Sequence, residues 1–297
     1  MLFLVFLQSE QVQPMSLRSL LNDIFGLKTM FSLRYFRQRR RWPDFDNPKD
    51  YSEINISQLL SEDFVRYSDY ADKIKVRDYV KSKGLENILL KHYAYFSSTE
   101  EIVPEELPDR FVLKTNRGAS GKDICICTDK KTFDWEAAFR KLKRAMTRRF
   151  EYERHYNVIE PRIICEELIE TENGKYPIDY KFTCIRGQIV DVFLCSDREV
   201  GKPSHCTVDL DWNILPYTKE KYLPDTIPAR PEHLDEMVRI AGILSEDFDL
   251  VRVDLYEYRN QVYFSELTFS PHGGIMYSYN DTGIKAIGEK YHEICAR

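Results

Sequence analysis

The segment from Leu250 to Gly274 constrains the fold of this chain more than any other stretch. It contains two runs rich in β-branched and aromatic residues, Leu250–Tyr258 and Val262–Phe269, separated by Arg259-Asn260-Gln261. Two such runs on either side of a short break predict an antiparallel β-hairpin. The polar residues of this hairpin can form a site.

The register of the hairpin decides which of its side chains meet. Side chains alternate between the two faces of a strand, so Arg252 and Asp254 share a face. On the return strand, alternation predicts one face with Val262, Phe264, Glu266 and Thr268. A three-residue loop, or its five-residue equivalent, sets Asp254 opposite Glu266, whereas a two-residue loop turns them to opposite faces. We expect the three-residue loop or its five-residue equivalent.

Two carboxylates directly opposite each other repel unless a cation lies between them. Oxygen ligands on two strands suit Mg²⁺, which is usually held by one or two carboxylates together with substrate phosphates; Mn²⁺ is an alternative ion. For the hairpin alone, the competing interpretation is an ion-paired patch in which Arg252 neutralises both Asp254 and Glu266. The motifs described below favour the metal site.

The composition is that of an ordinary globular protein. The 297 residues are 43% hydrophobic and 31% charged, which is enough for a sizeable core and two or three lobes. The net charge of −5 argues against general nucleic-acid binding. The seven cysteines contain no CxxC pair and predict buried thiols in a reducing cytosol. The apolar start MLFLVFL is too short to span a bilayer and lacks the features of a signal peptide.

The first hundred residues predict helices. Apolar residues at helical spacing between Ser16 and Trp42 indicate a helix that ends in a basic run at 37–41. Such a helix either lies on an anionic membrane surface or packs on the body of the protein with a solvated end. A second helical zone is expected at 56–82 and a connector at 93–108. We therefore predict a helical region with its connector at 1–103 and the main domain at 104–297, divided into lobes at 104–164 and 165–297.

A glycine-rich hairpin follows at the start of the main domain. The strand Phe111–Thr115 leads into a loop whose Gly118 and Gly121 allow backbone N–H groups to approach an anion. Lys114, just before the loop, is expected to reach a phosphate, with a solvated strand lysine as the alternative. The spacing differs from that of a Walker P-loop. The other expected anion-binding groups of the loop are Ser120 and Lys122.

The second half of the chain predicts mostly antiparallel strands. Strands are expected at 163–169, 179–185, 188–194 and 205–211, with a turn at Arg186-Gly187. A helix with a basic polar side is expected at 135–152, and Pro231 opens another. These elements indicate an α+β fold.

Six motifs in this order resemble the ATP-grasp superfamily, and most closely its TupA-like group found in bacterial polysaccharide and teichuronopeptide gene clusters. The motifs are DKxxVRxYV from Asp72, FVLKTNxGxSG from Phe111, EELI from Glu166, DYKF from Asp179, VRVDLY from Val251 and ELTFSPxGG from Glu266. The resemblance covers residues 72–274. It implies an ATP-grasp fold, in which two α+β lobes clamp the nucleotide, after an N-terminal helical region.

The resemblance also implies roles for the matching residues. Lys114 and the loop from Gly118 to Lys122 would bind the phosphates of ATP, and Lys73 resembles a further phosphate-binding lysine. Asp254 and Glu266 would hold Mg²⁺. The adenine would be read by the segment Glu166, Glu167, Leu168 and Ile169, chiefly through the Glu167 carbonyl and the Ile169 N–H. Two positions depart from the family pattern, Thr268 at a third metal position that often has Asn and Arg117 at a loop position that often has His.

The remaining candidates concern the reaction itself. Arg252 is expected to steady an acylphosphate and an oxyanion, for which a guanidinium fork is well suited. Lys181 and Arg198 are candidates for contacts with the phosphates or the acceptor. His272 and Gly273 are candidates for contact with the acceptor, although a structural role is the more common one for a lone histidine.

The expected activity is that of an ATP- and Mg²⁺-dependent ligase. The resemblance implies that a carboxylate is phosphorylated to an acylphosphate, which an amine or hydroxyl then attacks, in cell-surface polysaccharide (capsule) biosynthesis. The expected partners are a carboxylate substrate and an amine or glycan acceptor. The expected location is the cytoplasm, including the inner face of the cytoplasmic membrane. A glycosyltransferase, a small-molecule or glycan kinase on the same fold, and a non-catalytic scaffold are the alternatives.

Overall fold

The computed structural model describes residues 26–118, 121, 123–169, 176–196 and 203–297. The helices are α1 (Leu27–Arg39), α2 (Tyr51–Leu60), α3 (Ser68–Ala71), α4 (Val76–Ser82), α5 (Trp135–Met146), α6 (Leu234–Ser245) and α7 (Asp281–Cys295). The strands are β1 (His92–Phe96), β2 (Phe111–Thr115), β3 (Cys125–Cys127), β4 (Ile163–Glu166), β5 (Asp179–Ile185), β6 (Gln188–Ser196), β7 (Ser204–Val208), β8 (Ile214–Leu215), β9 (Val251–Tyr258) and β10 (Gln261–Thr268). Short 3₁₀ turns connect several of them.

The strands form two antiparallel sheets. The small sheet has the order β1-β4-β2-β3, and the large sheet has the order β10-β9-β5-β6-β7-β8. Helix α5 packs on the small sheet through Ala138 and Leu142, and α6 packs on the large sheet through apolar residues spaced three or four apart. The predicted α+β architecture is confirmed.

The segment predicted as a connector at 93–108 contains a strand. β1 pairs with β4, so that Phe96 lies opposite Ile163. The connector interpretation is therefore wrong for these residues, because the alternation of half-buried and exposed side chains along β1 forms one edge of the small sheet. β4 also continues to Glu166, beyond the predicted lobe boundary at 164. The division into domains stays a prediction.

The helices before the small sheet belong to the core of the protein. Phe31 and Tyr35 of α1 are fully buried and share one hydrophobic cluster with the large sheet. The Arg39 guanidinium donates hydrogen bonds to the carbonyl oxygens of Met276 (2.7 Å) and Tyr279 (3.0 Å). The prediction that this helix packs on the body of the protein is therefore confirmed for α1. The part of the predicted helix before residue 26 lies outside the described residues.

The hairpin β9–β10 has the predicted pairing but not the predicted loop. Its loop has two residues, Arg259 and Asn260, both with positive φ (48° and 61°), and Gln261 pairs with Tyr258. A β-bulge at Ser265 then adds one residue to β10. Since a bulge sets two residues against one, Glu266 still lies opposite Asp254, as predicted.

The bulge also changes which residues of β10 share a face. Val262 and Phe264 are buried in the main core together with Leu267 and Phe269. The predicted common face of Val262, Phe264, Glu266 and Thr268 is wrong, because the extra residue shifts the alternation by one position. Glu266 and Thr268 therefore face away from that core, on the same side of the sheet as Asp254.

Two observations concern the predictions made from composition. All seven cysteines fall within the described residues; none forms a disulfide, and all except Cys295 are buried. In the described part of the chain, no helix combines the length and apolar character needed to cross a bilayer.

Candidate active site

The carboxylate of Asp254 lies at the centre of an ionic cluster on the large sheet. The Arg252 guanidinium donates to it through Nε and Nη2, both at 2.7 Å. The Lys181 ammonium, from the neighbouring strand β5, lies 2.7 Å from Asp254 Oδ2 and 3.3 Å from Asp179 Oδ2. Strand pairing explains the contact, because Lys181 lies directly opposite Asp254.

Burial and charge act in opposite directions on this cluster. Burial lowers the pKa of Lys181 and of Arg252, but the nearby carboxylates more than offset it, so both pKa values lie above their usual range. For Lys181 the raising charges are Asp179 and Asp254, and for Arg252 the main one is Asp254. Both cations therefore stay protonated in a site almost closed to water.

Glu266 faces the cluster from the opposite strand and has a different partner. The Lys73 ammonium lies 2.9 Å from Glu266 Oε2 and donates to the carbonyl oxygen of Gly118 at 3.0 Å. Burial raises the pKa of Glu266, whereas Lys73, Lys181 and Arg252 lower it, and the net pKa is below its usual value. Lys73 thus links β10, which carries a predicted metal ligand, to the glycine-rich loop that is predicted to bind phosphate.

The Thr268 hydroxyl completes the row on β10. It accepts a bond from Arg252 Nη2 (3.3 Å) and donates to Glu266 Oε1 (3.4 Å). The competing interpretation from sequence was that Arg252 neutralises both Asp254 and Glu266. In the structure Arg252 binds Asp254, whereas Lys73 binds Glu266.

The donor set fits Mg²⁺ in its chemistry. Asp254, Glu266 and Thr268 offer oxygen atoms on one face of the sheet, and Mg²⁺ prefers oxygen. Among the described residues no three His, Cys, Asp or Glu side chains come together as a metal site, so an ion here needs further oxygens from phosphate or water. Glu266, with 23% of its side chain exposed, is the accessible carboxylate, whereas Asp254 is 1% exposed.

Lys114 and Glu166, two predicted nucleotide-binding residues, meet on the small sheet. Lys114 Nζ lies 2.5 Å from Glu166 Oε1, and His92 Nε2 lies 3.3 Å from Glu166 Oε2. Burial raises the pKa of Glu166, but the opposite effects of Lys114 and His92 are larger, and the net pKa is lowered to about 2. The solvated-lysine alternative for Lys114 is wrong, since only 13% of its side chain is exposed.

The described part of the glycine-rich loop has the backbone that glycine favours. Gly118 and Gly121 have φ of 95° and 65°, and a Cβ on Gly118 would lie 3.0 Å from the Phe150 ring. The Lys73 amide N–H donates to the carbonyl of Asn116, and Asn116 Nδ2 donates to Asp72 Oδ1. The loop base is thereby tied to the segment that carries Lys73.

Arg117 has a structural role. Its buried guanidinium donates to the carbonyl oxygens of Met146 (2.8 Å), Arg148 (3.1 Å) and Tyr156 (3.2 Å). Arg117 therefore ties the start of the glycine-rich loop to the chain that follows α5. This structural role gives a physical reason for the departure from the family pattern at this position.

The predicted adenine-reading segment continues directly from β4. The strand ends at Glu166, and the Glu167 amide N–H donates to the Lys91 carbonyl at 2.9 Å. Leu168 is half-buried and Ile169 is buried. Its role with adenine stays a prediction. Three predicted site residues, Ser120, Lys122 and Arg198, lie outside the described residues.

His272 and Gly273 form a left-handed turn after β10, with φ of 54° and 61°. Burial, followed by the charges of Arg252, His205 and Lys181, keeps the pKa of His272 well below its usual value. Its neutral ring contacts the Tyr277 ring edge-on at a centroid distance of 4.3 Å.

Two polar residues of this region were not predicted from sequence. Asp179 begins the DYKF motif, so its place beside Lys181 could have been inferred from that motif. Glu153 belongs to no motif, and it accepts a 2.6 Å hydrogen bond from the Ser270 hydroxyl. Only the fold brings Glu153 to the end of β10.

Comparison with known proteins places this arrangement in context. The sequence model of the family described as TupA-like ATP-grasp matches residues 54–292, which confirms the predicted resemblance. A search of curated proteins gave no significant match.

Three solved structures are among those similar to the chain. The D-alanine–D-alanine ligase of Helicobacter pylori is 14% identical, with 74% of this chain and 60% of that one covered and a TM-score of 0.43. The L-amino acid ligase of Bacillus licheniformis is 14% identical, with 71% and 46% covered and a TM-score of 0.43. The D-alanine–D-alanine ligase of Bacillus anthracis in complex with ATP is 14% identical, with 76% and 67% covered and a TM-score of 0.42. The chain thus spans less than two thirds of the first two ligases.

Proposed function

The chain belongs to the TupA-like ATP-grasp family, and we propose that it is an ATP- and Mg²⁺-dependent ligase that joins a carboxylate to an amine or hydroxyl. The observation that carries the proposal is the cluster formed by Asp254, Glu266, Arg252, Lys181 and Lys73 beside the base of the glycine-rich loop. Two carboxylates and three cations on facing elements are the groups that phosphoryl transfer needs.

The proposed reaction has two steps. A carboxylate oxygen of the substrate attacks the γ-phosphorus of ATP, the bond from that phosphorus to the bridging oxygen breaks, and ADP and an acylphosphate form. The amine nitrogen then attacks the acyl carbon and loses a proton to solvent, the carbon–oxygen bond to phosphate breaks, and inorganic phosphate leaves. Neither step requires a strongly basic side chain, so a site of fixed charges is sufficient.

The residues of the cluster have distinct parts in this proposal. Lys73, between Glu266 and the Gly118 carbonyl, holds the phosphate loop over the reacting phosphate. Arg252 uses Nε and Nη2 for Asp254, and these bonds leave Nη1 for an oxyanion of the acylphosphate. Lys181 orients Asp254 from the other side.

The Mg²⁺ ion would be held by Glu266 and Asp254, with Thr268 as a third oxygen donor. When bound, it neutralises phosphate charge and polarises the phosphoryl oxygens. Because Asp254 is already bonded to two cations, Glu266 would be the more accessible of the two metal ligands.

On the small sheet, Lys114 would contact the α- and β-phosphates, and the segment Glu166–Ile169 would receive the adenine. The ion pair between Lys114 and Glu166 supports this role, because it fixes the lysine side chain along the strand that leads into the loop. The biological setting proposed here, cell-surface polysaccharide biosynthesis at the cytoplasmic side of the membrane, follows from the TupA-like group alone.

A kinase that phosphorylates its acceptor is the second candidate, because the same cluster supports transfer to a hydroxyl. Hydroxylamine distinguishes the two, since it converts an acylphosphate into a hydroxamate. The purified protein is incubated with Mg²⁺, ATP, hydroxylamine and a panel of uronic acids and amino acids, and hydroxamate and ADP are measured.

The ligase proposal expects hydroxamate and ADP in equal amounts with at least one carboxylate, and neither product when Mg²⁺ is removed. Glu266→Gln should abolish both products. Glu257→Gln is the matched control, because Glu257 pairs with His233 away from the cluster. A stable phosphorylated product without hydroxamate would favour the kinase, and sugar transfer without ATP would favour a glycosyltransferase.

A further inference from the structure

The polar row of β10 continues past the proposed metal ligands and beyond the end of the strand at Thr268. Glu266, Thr268 and Ser270 follow one another at every second position, and Ser270 is only 2% exposed. Its hydroxyl donates to Glu153 Oε1 at 2.6 Å. Glu153 comes from the segment after α5, so a second carboxylate site adjoins the proposed reaction centre.

A guanidinium faces the same place from the first helix. Arg34 of α1 lies over the Tyr152 ring, with its Cζ 4.2 Å from the ring centroid. A Cβ built on Gly273 would lie 3.7 Å from Arg34 Nη2 and 3.9 Å from Glu153 Oε2. The backbone at Gly273, expected from sequence to contact substrate, is therefore flanked by one cation and one anion.

The turn that carries Gly273 is held firmly. A Cβ on the next residue, Gly274, would lie 2.9 Å from both Ile56 and Leu59 of α2. Close packing of this kind prevents the turn from moving toward α2. The backbone between Arg34 and Glu153 is therefore held in place, as a site that positions a substrate requires.

Glu153 is also within electrostatic reach of the proposed reaction centre. Burial raises the pKa of Glu153 most, the Ser270 bond and Arg34 lower it, and the charge of Glu266 raises it again. A positively charged group bound here would therefore interact electrostatically with the carboxylate that is proposed to hold Mg²⁺.

We propose that Arg34, Glu153 and Ser270 form a subsite for a zwitterionic amino acid, which is the amine substrate of the ligase. The guanidinium binds the carboxylate of the amino acid, and Glu153, held by Ser270, accepts hydrogen bonds from its amino group. Charge-assisted bonds of this kind give both affinity and orientation. This inference rests on the proposed function and specifies its nucleophile.

The test measures binding before turnover. Thermal stabilisation is recorded with a panel of L- and D-amino acids, with and without Mg²⁺ and a non-hydrolysable ATP analogue. For each amino acid that stabilises the protein, the decarboxylated amine and the N-acetyl derivative are measured in parallel. We expect at least one amino acid to stabilise the protein and both derivatives to bind roughly ten- to a hundredfold more weakly.

Three variants locate the effect. Arg34→Gln should weaken binding of the amino acid roughly tenfold or more and leave binding of its decarboxylated amine unchanged. Glu153→Gln should weaken both, and Ser270→Ala should weaken both to a smaller extent. Arg37→Gln, an exposed arginine on the same helix, and Glu105→Gln, an exposed glutamate, are the matched controls and should bind as the unmodified protein does.

The outcomes separate the subsite from the proposed function. Stabilisation by the ATP analogue with no response to any amino acid would overturn the subsite and leave the ligase proposal standing. Amino-acid binding that Arg34→Gln and Glu153→Gln leave unchanged would overturn it too, because the pair would then only brace α1 against the turn. Failure of the ATP analogue to stabilise the protein would count against the ligase, and the amino-acid titration without nucleotide would still decide on the subsite.

Discussion

At the scale of single residues, the site consists of buried charges that depend on one another. Asp254 is bonded to Arg252 and Lys181, whereas Glu266 has Lys73 as its cation partner among the ion pairs of the described residues. Removing one member of a buried ion pair leaves the other charge uncompensated. This lowers the free energy of unfolding far more than removing one member of a solvent-exposed pair does. The two carboxylates should therefore respond differently to the same kind of substitution.

Glu266→Gln should lower Mg²⁺-dependent turnover roughly a hundredfold or more, and it should lower the free energy of unfolding by less than Asp254→Asn does, because Glu266 has one ion-pair partner and is partly exposed. Asp254→Asn should also abolish turnover, but it should lower the free energy of unfolding by about 3–5 kcal/mol, because two buried cations lose their partner. Phosphate release and urea denaturation measure the two effects. Turnover by Glu266→Gln at the unmodified rate would refute the metal assignment.

Asp191, a buried residue of β6, provides a pH-dependent test of the fold. It is 1% exposed and accepts a 2.9 Å hydrogen bond from the Tyr279 hydroxyl. Burial raises its pKa from 3.8 to about 6, against the lowering effects of its hydrogen bonds and Arg252. Because the folded state then binds the proton more tightly than the unfolded state, this group destabilises the fold as the pH rises from 3.8 to about 6.

Asp191→Asn removes this titration. The unfolding free energy of the variant relative to the unmodified protein should increase by about 3 kcal/mol over the whole titration, from about pH 3 to about pH 7, with a slope of at most roughly 1.4 kcal/mol for each pH unit. It should be constant above pH 7. Urea denaturation at a series of pH values measures the difference, and a difference that does not depend on pH would contradict the assignment.

At the scale of elements, the sequence predicted the hairpin that carries the carboxylates but not how its register arises. Strand composition and alternation were sufficient for the pairing of Asp254 with Glu266. They could not show whether the extra residue lies in the loop or in the strand, because both solutions give that pairing. The bulge at Ser265 is consistent with the apolar pattern of β10, in which the core-facing positions change from Val262 and Phe264 to Leu267 and Phe269.

Two deletions test the role of the bulge. Without Ser265, the strand alternates regularly and Glu266 still lies opposite Asp254, so we expect the variant to fold and to retain nucleotide binding. Without Leu267, Thr268 would turn into the core and Phe269 would turn out of it, which should unfold the hairpin. Circular dichroism and nucleotide titration compare the two, and equal behaviour would contradict the described register.

The first helices show a second limit of the sequence at this scale. Helical spacing predicted that helices would form, but spacing alone does not say where they pack. Lys73, in the segment between α3 and α4, and Arg34, in α1, both reach the site. The motif around Asp72 was sufficient to suggest Lys73, whereas nothing local singled out Arg34 or Glu153, which are placed by contacts between distant segments.

At the scale of the whole molecule, the two sheets supply different parts of one proposed site. The small sheet carries Lys114 and the glycine-rich loop, and the large sheet carries Asp254 and Glu266. Lys73 joins them by contacting both Glu266 and the Gly118 carbonyl. A nucleotide bound with Mg²⁺ would contact both sheets, so its binding should stabilise the whole molecule rather than one lobe.

Thermal denaturation with Mg²⁺ and a panel of ATP, ADP, GTP and UDP- or GDP-sugars tests this central claim most directly. We predict that ATP at a hundredfold excess over its dissociation constant raises the melting temperature by about 5 °C. The increase should require Mg²⁺ and should shrink in Lys114→Ala. Stabilisation by a nucleotide sugar and not by ATP or ADP would contradict the claim and favour a glycosyltransferase.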